Sequence, residues 1–244
     1  MDIKIRKIKN QDLYKLYNVK SKEIIKDGTK KELRKHLKIM KGGEIDSNIL
    51  NDVIKNTCEK NPNKELNGYN LDDSISNKTG KIYYNPETNH TIVSHRGTKG
   101  VKDWANNVAY MTGLYDYTHR SKQGKRLQEK ASKKYGDENI STVGYSQGAI
   151  NASKYGANSK EIINVNRAYN PLISNPKNKN EYNIRSSKDL ISAPKLLNDK
   201  IVSITNPKWS RKHNLTIDAK SNNPLTEHNS DILQRLPNKK VGRK

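Results

Sequence analysis

The stretch ISTVGYSQGAINASKYG, residues 140–156, sets a serine between two glycines directly after a short β-branched run. Gly144-Tyr145-Ser146-Gln147-Gly148 has the G-x-S-x-G spacing of a nucleophile elbow, in which a buried strand ends in a sharp turn and a helix begins. In such a turn the serine backbone is strained so that Oγ stands clear of the sheet. Side chains two residues before and after it would collide with neighbouring backbone. Glycine at both places removes the collision. Three fixed positions in five recur by chance, so the pentapeptide needs a fitting context and partners for the serine.

The flanking sequence supplies that context. GKIYYNPETNHTIVSHRGT, ahead of the elbow, reads as a hairpin with its turn at Asn85-Pro86-Glu87-Thr88-Asn89. A basic helix follows over about Thr118–Tyr135, with Gly124, Leu127 and Ala131 on one face and Gly136 as its stop signal. Beyond the elbow, EIINVNRAYN, EYNIRSS and KIVSITN are strand candidates. Strands alternating with helical segments predict an α/β fold over residues 67–244: a mostly parallel sheet covered on both faces, with its active site at the carboxyl ends of the strands. Residues 1–66 are predicted to form a basic helical N-terminal region. There Leu33, Leu37 and Met40 share a helical face, and after the break KGG a second helix starts with Asp46 or Ser47 as N-cap. That helix would turn Ile49, Leu50, Val53, Ile54 and Cys58 inward, and LPNKKVGRK at the end reads as a frayed basic tail.

Composition bounds the remaining choices. A chain of 244 residues suits one sizeable α/β domain with an appendage, and 32% hydrophobic residues imply a modest core. Lys and Arg number 47 against 25 Asp and Glu, a net charge of +22 that suits nucleic acid or an anionic membrane as partner. Lysine and asparagine crowd the whole sequence, however, and charge spread in that way also arises as plain solvated surface. The single cysteine, Cys58, excludes an internal disulfide. MDIKIRKIKNQD lacks the apolar core of a signal peptide, and no apolar run approaches membrane-spanning length, so the expectation is a soluble, cytoplasmic protein.

A serine nucleophile needs a base to take its proton, an acid to orient that base, and donors for the oxyanion. In α/β-hydrolases the order is Ser, then Asp or Glu, then His. His36, His90, His95 and His119 precede Ser146, leaving His213 and His228. His213 opens an apparent strand in RKHNLTID. His228 stands in the turn-rich NNPLTEHNSDIL, where an imidazole can swing over the sheet edge, and is the preferred base. Asp189 follows the strand EYNIRSS and is the preferred acid, with Asp218 and Asp199 as alternatives and a helix cap as its plainer role.

With these residues in hand, HTIVSHRGTKGVKDW, TVGYSQGA, IRSSKDLISAP and EHNSD together resemble the fungal lipase-like (class 3) branch of the α/β-hydrolases. The texture is most similar to the lipase-like proteins of large DNA viruses. The resemblance spans about residues 68–235. It implies that the Arg96-Gly97-Thr98 turn supplies an oxyanion donor at Thr98, with the N–H of Gln147 as the second. It also implies that Asp103-Trp104 supports that turn and that residues 105–117 stand where such lipases carry a lid. The activity implied is hydrolysis of carboxylic esters, lipid esters foremost, without metal or organic cofactor. The elbow departs from the usual GHSLGG, and the GYSQGA form is more typical of cutinases, which are disulfide-bonded. The absence of phenylalanine argues against bulky triglyceride at an oil interface. The competing expectation is an inactive hydrolase fold serving as a virion or nucleic-acid-associated component.

Overall fold

A computed structural model of the chain describes residues 3–7, 14–18, 24–28, 45–98, 114–168, 178–189, 214–236 and 240–241. At the N-terminus it corrects the helical expectation. Strands β1 (Ile3–Lys7), β2 (Tyr14–Asn18) and β3 (Ile24–Gly28) form an antiparallel sheet in the order β1-β2-β3. The reason lies in the spacing: Ile3 and Ile5 alternate with Lys4 and Arg6, and Tyr14 and Leu16 flank Lys15. A period of two suits a strand and not a helix. The predicted helix around Leu33–Met40 lies outside the described residues.

The second predicted helix is present. β4 (Ile45–Asp46) leads into α1 (Ser47–Cys58), where the Asp46 carboxylate caps the helix by accepting the Asn48 N–H at 2.8 Å. Leu50, Val53 and Ile54 are buried in one cluster with Tyr83, Ile92, Val143 and Ile163, so α1 covers one face of the main sheet. Each such side chain contributes about 1.5–3 kcal/mol by leaving water.

The main sheet has eight strands. β5 (Glu65–Leu66), β6 (Tyr69–Leu71), β7 (Gly80–Asn85) and β8 (His90–His95) run antiparallel to one another. The β7–β8 hairpin is the predicted one, in register from Gly80↔His95 to Asn85↔His90. Asn85 Oδ1 ties its turn by accepting the Glu87 and Thr88 N–H groups at 3.0 and 3.1 Å. From β8 onward the strands are parallel: β9 (Ile140–Tyr145), β10 (Glu161–Val165), β11 (Glu181–Ser186) and β12 (Asn214–Ile217) follow in sequence order. Between β8 and β9 lies α2 (His119–Tyr135), capped by the Thr118 side chain and ended at Gly136 with φ 77°. Leu127 and Ala131 of α2 bury Ile82, Val93 and Ile140 on the face opposite α1. Residues adjacent in a strand, such as Ile82 and Tyr83, thus feed different layers, as a pleated sheet requires. α3 (Gly148–Tyr155) joins β9 to β10.

After β12 come α4 (Pro224–Glu227), a 3₁₀ turn at Ser230–Arg235 and β13 (Lys240–Val241). β13 pairs antiparallel with β4, so part of the tail expected to fray is hydrogen-bonded. The strand candidate KIVSITN lies outside the described residues, among which no helix is long and apolar enough to cross a membrane.

Two buried histidines sit on β8. His90 places Nδ1 2.7 Å from the Tyr69 hydroxyl and Nε2 2.8 Å from Ser141 Oγ. Burial, with Lys160 nearby, lowers its pKa to about 3, and burial lowers that of His95 to about 4. Both values lie below the unfolded value near 6.5, so the unfolded chain takes up protons that the folded one refuses. Their contribution to stability is therefore complete above about pH 6.5 and declines as pH falls towards the folded values, by about 1.4 kcal/mol per pH unit for each ring. Urea melts at about pH 7.5, 6.5 and 5.5 should show this loss begin before most carboxylates titrate, and His90→Gln should shallow the slope.

Candidate active site

The elbow forms as its spacing predicts. β9 is buried from Ile140 to Gly144, and after the half-buried Tyr145 the chain turns through Ser146 at φ 52° before α3 begins at Gly148. A left-handed backbone at a non-glycine residue costs of order 1–3 kcal/mol. Three backbone hydrogen bonds offset it: Ser146 N–H donates to Val165 O at 3.0 Å, and Ser146 O accepts from Ala149 and Ala168 N–H at 3.2 and 3.3 Å. The glycines answer the question their spacing raises. A Cβ at Gly144 would lie 2.3 Å from Ala149 Cα, and one at Gly148 would lie 2.1 Å from the His95 carbonyl oxygen. Neither position has room for a side chain.

Three residues distant in sequence converge on the turn. Ser146 Oγ lies 2.8 Å from His228 Nε2, and His228 Nδ1 lies 2.8 Å from Asp189 Oδ2. An ionised carboxylate can only accept, so Nδ1 carries the proton and Nε2 is left as acceptor for the serine hydroxyl. Asp189 is fully buried, while the His228 side chain is 11% exposed and Ser146 8%. The pair therefore sits at the floor of the site, with the imidazole edge and the hydroxyl reachable from outside.

The loop bearing His228 is held by partners that the sequence does not single out. Glu227, immediately before it, is fully buried and accepts from Arg235 Nη1 at 2.7 Å, from the Ser186 hydroxyl, and from the Lys220 and Ser221 N–H groups at 3.1 and 2.8 Å. The Arg235 guanidinium holds the Glu227 carboxyl down at about 2, helped by Ser186 and Ser221. Tyr145 donates its hydroxyl to the His228 carbonyl, and its ring lies 5.6 Å from the imidazole. From α1, Asn51 Nδ2 donates to Asp231 at 3.1 Å and Lys55 pairs with the same carboxylate. The N-terminal helix thus bears directly on the segment that follows His228.

On the other side of the serine, Thr98 Oγ1 donates to Gln147 Oε1 at 3.3 Å, which sets the two predicted oxyanion residues side by side. Arg120 of α2, 3% exposed, donates through Nη2 to the carbonyls of Arg96 and of Gly97, the latter at 2.9 Å. The Gly97–Thr98 peptide is trans, so fixing its C=O on Arg120 turns the Thr98 N–H to the opposite side. Of the alternatives, Asp218 is exposed, and His213 and Asp199 lie outside the described residues. Asp103, Trp104 and all of the expected lid segment except Leu114–Tyr117 lie outside them too. Among the described residues no group of three His, Cys, Asp or Glu could hold a metal ion.

Gly148→Ala should cost about 1–3 kcal/mol in urea unfolding, because a methyl group has nowhere to go beside the His95 carbonyl. Ala149→Gly, one residue along the same helix, should not reproduce the steric effect. No family model, curated protein or solved structure matches the chain, so its chemistry is read from the geometry of the site itself.

Proposed function

We propose that this chain is a serine hydrolase of the α/β-hydrolase type that cleaves carboxylic esters, lipid esters foremost. The observation that carries the reading is the unbroken relay from Ser146 Oγ through His228 to Asp189, with 2.8 Å at each step, built on a strand–turn–helix elbow. In the first half-reaction the Ser146 hydroxyl passes its proton to His228 Nε2 as Oγ bonds to the ester carbonyl carbon. Asp189 keeps the imidazole in the required tautomer and stabilises its charge. The backbone N–H groups of Thr98 and Gln147 receive the oxyanion. The tetrahedral species then expels the alcohol oxygen, which takes the proton from Nε2 and leaves an acyl group on Ser146. Water attacks that acyl group, gives a proton to Nε2, and releases the carboxylic acid as Ser146 recovers its hydrogen. The sum is ester plus water to acid plus alcohol.

The net charge of +22 favours esters carried on an anionic surface over neutral ones. Phospholipid vesicles with and without an anionic lipid should be hydrolysed at different rates, and the difference should shrink at high salt.

A fluorophosphonate probe should label Ser146 in the native chain and leave Ser146→Ala unlabelled. With p-nitrophenyl esters of graded chain length, Ser146→Ala and His228→Ala should lose about 10⁶-fold in kcat, and Asp189→Asn about 10⁴-fold. His213→Ala should retain activity. An adduct on another residue, or full activity without His228, overturns the reading.

A further inference from the structure

Immediately after β10 stands Asn166, fully buried and in the left-handed region at φ 47°. Its backbone N–H donates to Ile184 O on β11 at 2.8 Å, and its side-chain Oδ1 accepts the Ser186 N–H at 3.1 Å. Ser186 lies three residues before Asp189. The Nδ2 group donates to two carbonyls, Glu227 O and Asn229 O, each at 3.1 Å. Those carbonyls belong to the residues on either side of His228, so one amide group grips the chain before and after the imidazole. Residues beside Asn166 complete the junction, since Val165 O and Ala168 N–H both bond the Ser146 backbone.

We propose that Asn166 is a positioning residue of the relay: its one carboxamide fixes the Asp189 strand end against the His228 loop, while the backbone beside it holds the Ser146 turn. The chemistry singles out asparagine. The site asks for an acceptor towards Ser186 and two donors towards carbonyls, in a backbone conformation that asparagine tolerates better than most residues. An aspartate of the same shape has no N–H to give and faces two carbonyl oxygens with negative charge. An aliphatic residue satisfies none of the three groups and takes a partner from each of them. The inference rests on the serine-hydrolase reading for its effect on turnover and on the hydrogen-bond geometry alone for its effect on the imidazole.

Two variants test it, with Ser146→Ala as the labelling control. Asn166→Asp keeps the shape and exchanges donor for acceptor. Asn166→Gly removes the carboxamide and eases the left-handed backbone. Both are checked for cooperative melting, then measured for kcat and KM on a p-nitrophenyl ester, for the pH profile of kcat/KM, and for the downfield proton resonance of His228 Nδ1–H bonded to Asp189. The expected result is a fall in kcat of about 10²-fold with KM nearly unchanged, as a displaced relay gives. With Asn166→Gly the pH profile of kcat/KM should depart from the native one, because the imidazole and its carboxylate are no longer held in register. The downfield resonance should weaken or vanish in both variants. A folded Asn166→Gly with native kcat, native pH profile and an intact resonance overturns the proposal. If the native chain has no esterase activity and no Ser146 adduct, the hydrolase reading fails. The positioning role is then decided by the resonance alone: loss in the variants upholds it, and persistence overturns it.

Discussion

Close contact between the start of α3 and the ends of β8 and β9 governs the whole site. Gly148 lies against the His95 carbonyl and Gly144 against Ala149, with no space for a Cβ at either contact. Because helix and strands meet so tightly, the two residues between them must reverse the chain within a single turn. Ser146 takes the left-handed conformation that this demands. Its strain is of the order of a few kcal/mol at most and is opposed by hydrogen bonds from the Ser146 backbone to Val165, Ala149 and Ala168. The hydroxyl is thereby held at the end of the sheet rather than within it, where a neighbouring loop can reach it.

Stability and geometry come from different parts of the molecule. Two apolar layers, one under α1 and one under α2, bury the branched side chains of β7 to β10. The carboxyl end of the sheet is instead rich in buried polar groups: Asp189, Glu227 and Asn166 are fully buried, and Arg120 is nearly so. Each would be costly without a partner. Their bonds are directional where apolar packing is not: Glu227 binds Arg235 and Ser186, Asn166 binds both flanks of His228, and Arg120 binds the carbonyls ahead of Thr98. A greasy core could hold the sheet together equally well, but it would leave the imidazole loop free to slide by the ångström that separates a working relay from an idle one.

Much of this was legible in the residues. The hairpin at Asn85–Asn89, the helix ending at Gly136 and the helix capped by Asp46 announce themselves through turn residues, stop signals and periodicity, all of which act over a few positions. The elbow is local in the same sense, and the chain order expected of an α/β-hydrolase leaves two histidines as candidate partners of Ser146. The N-terminal strands show the limit. The helical expectation rests on the spacing of Leu33, Leu37 and Met40, whereas the alternation of Ile3 and Ile5 with charged residues, over too few positions to stand out alone, becomes a strand by pairing with β2. Nothing in the neighbourhood of Asn166 or Arg120 marks either as more than a polar residue beside a strand or within a basic helix.

The sequence by itself therefore determined the alternation of strands and helices, the two glycines that permit the turn, and the order serine, aspartate, histidine. Tertiary structure decided which carboxylate faces the imidazole, that α1 braces the segment after His228, and that Asn166 joins the strand before Asp189 to the loop around His228. The division has one physical cause. Propensity and steric fit act between residues a few positions apart, but a hydrogen bond between groups 39 to 82 positions apart exists only after the sheet has brought its strand ends together.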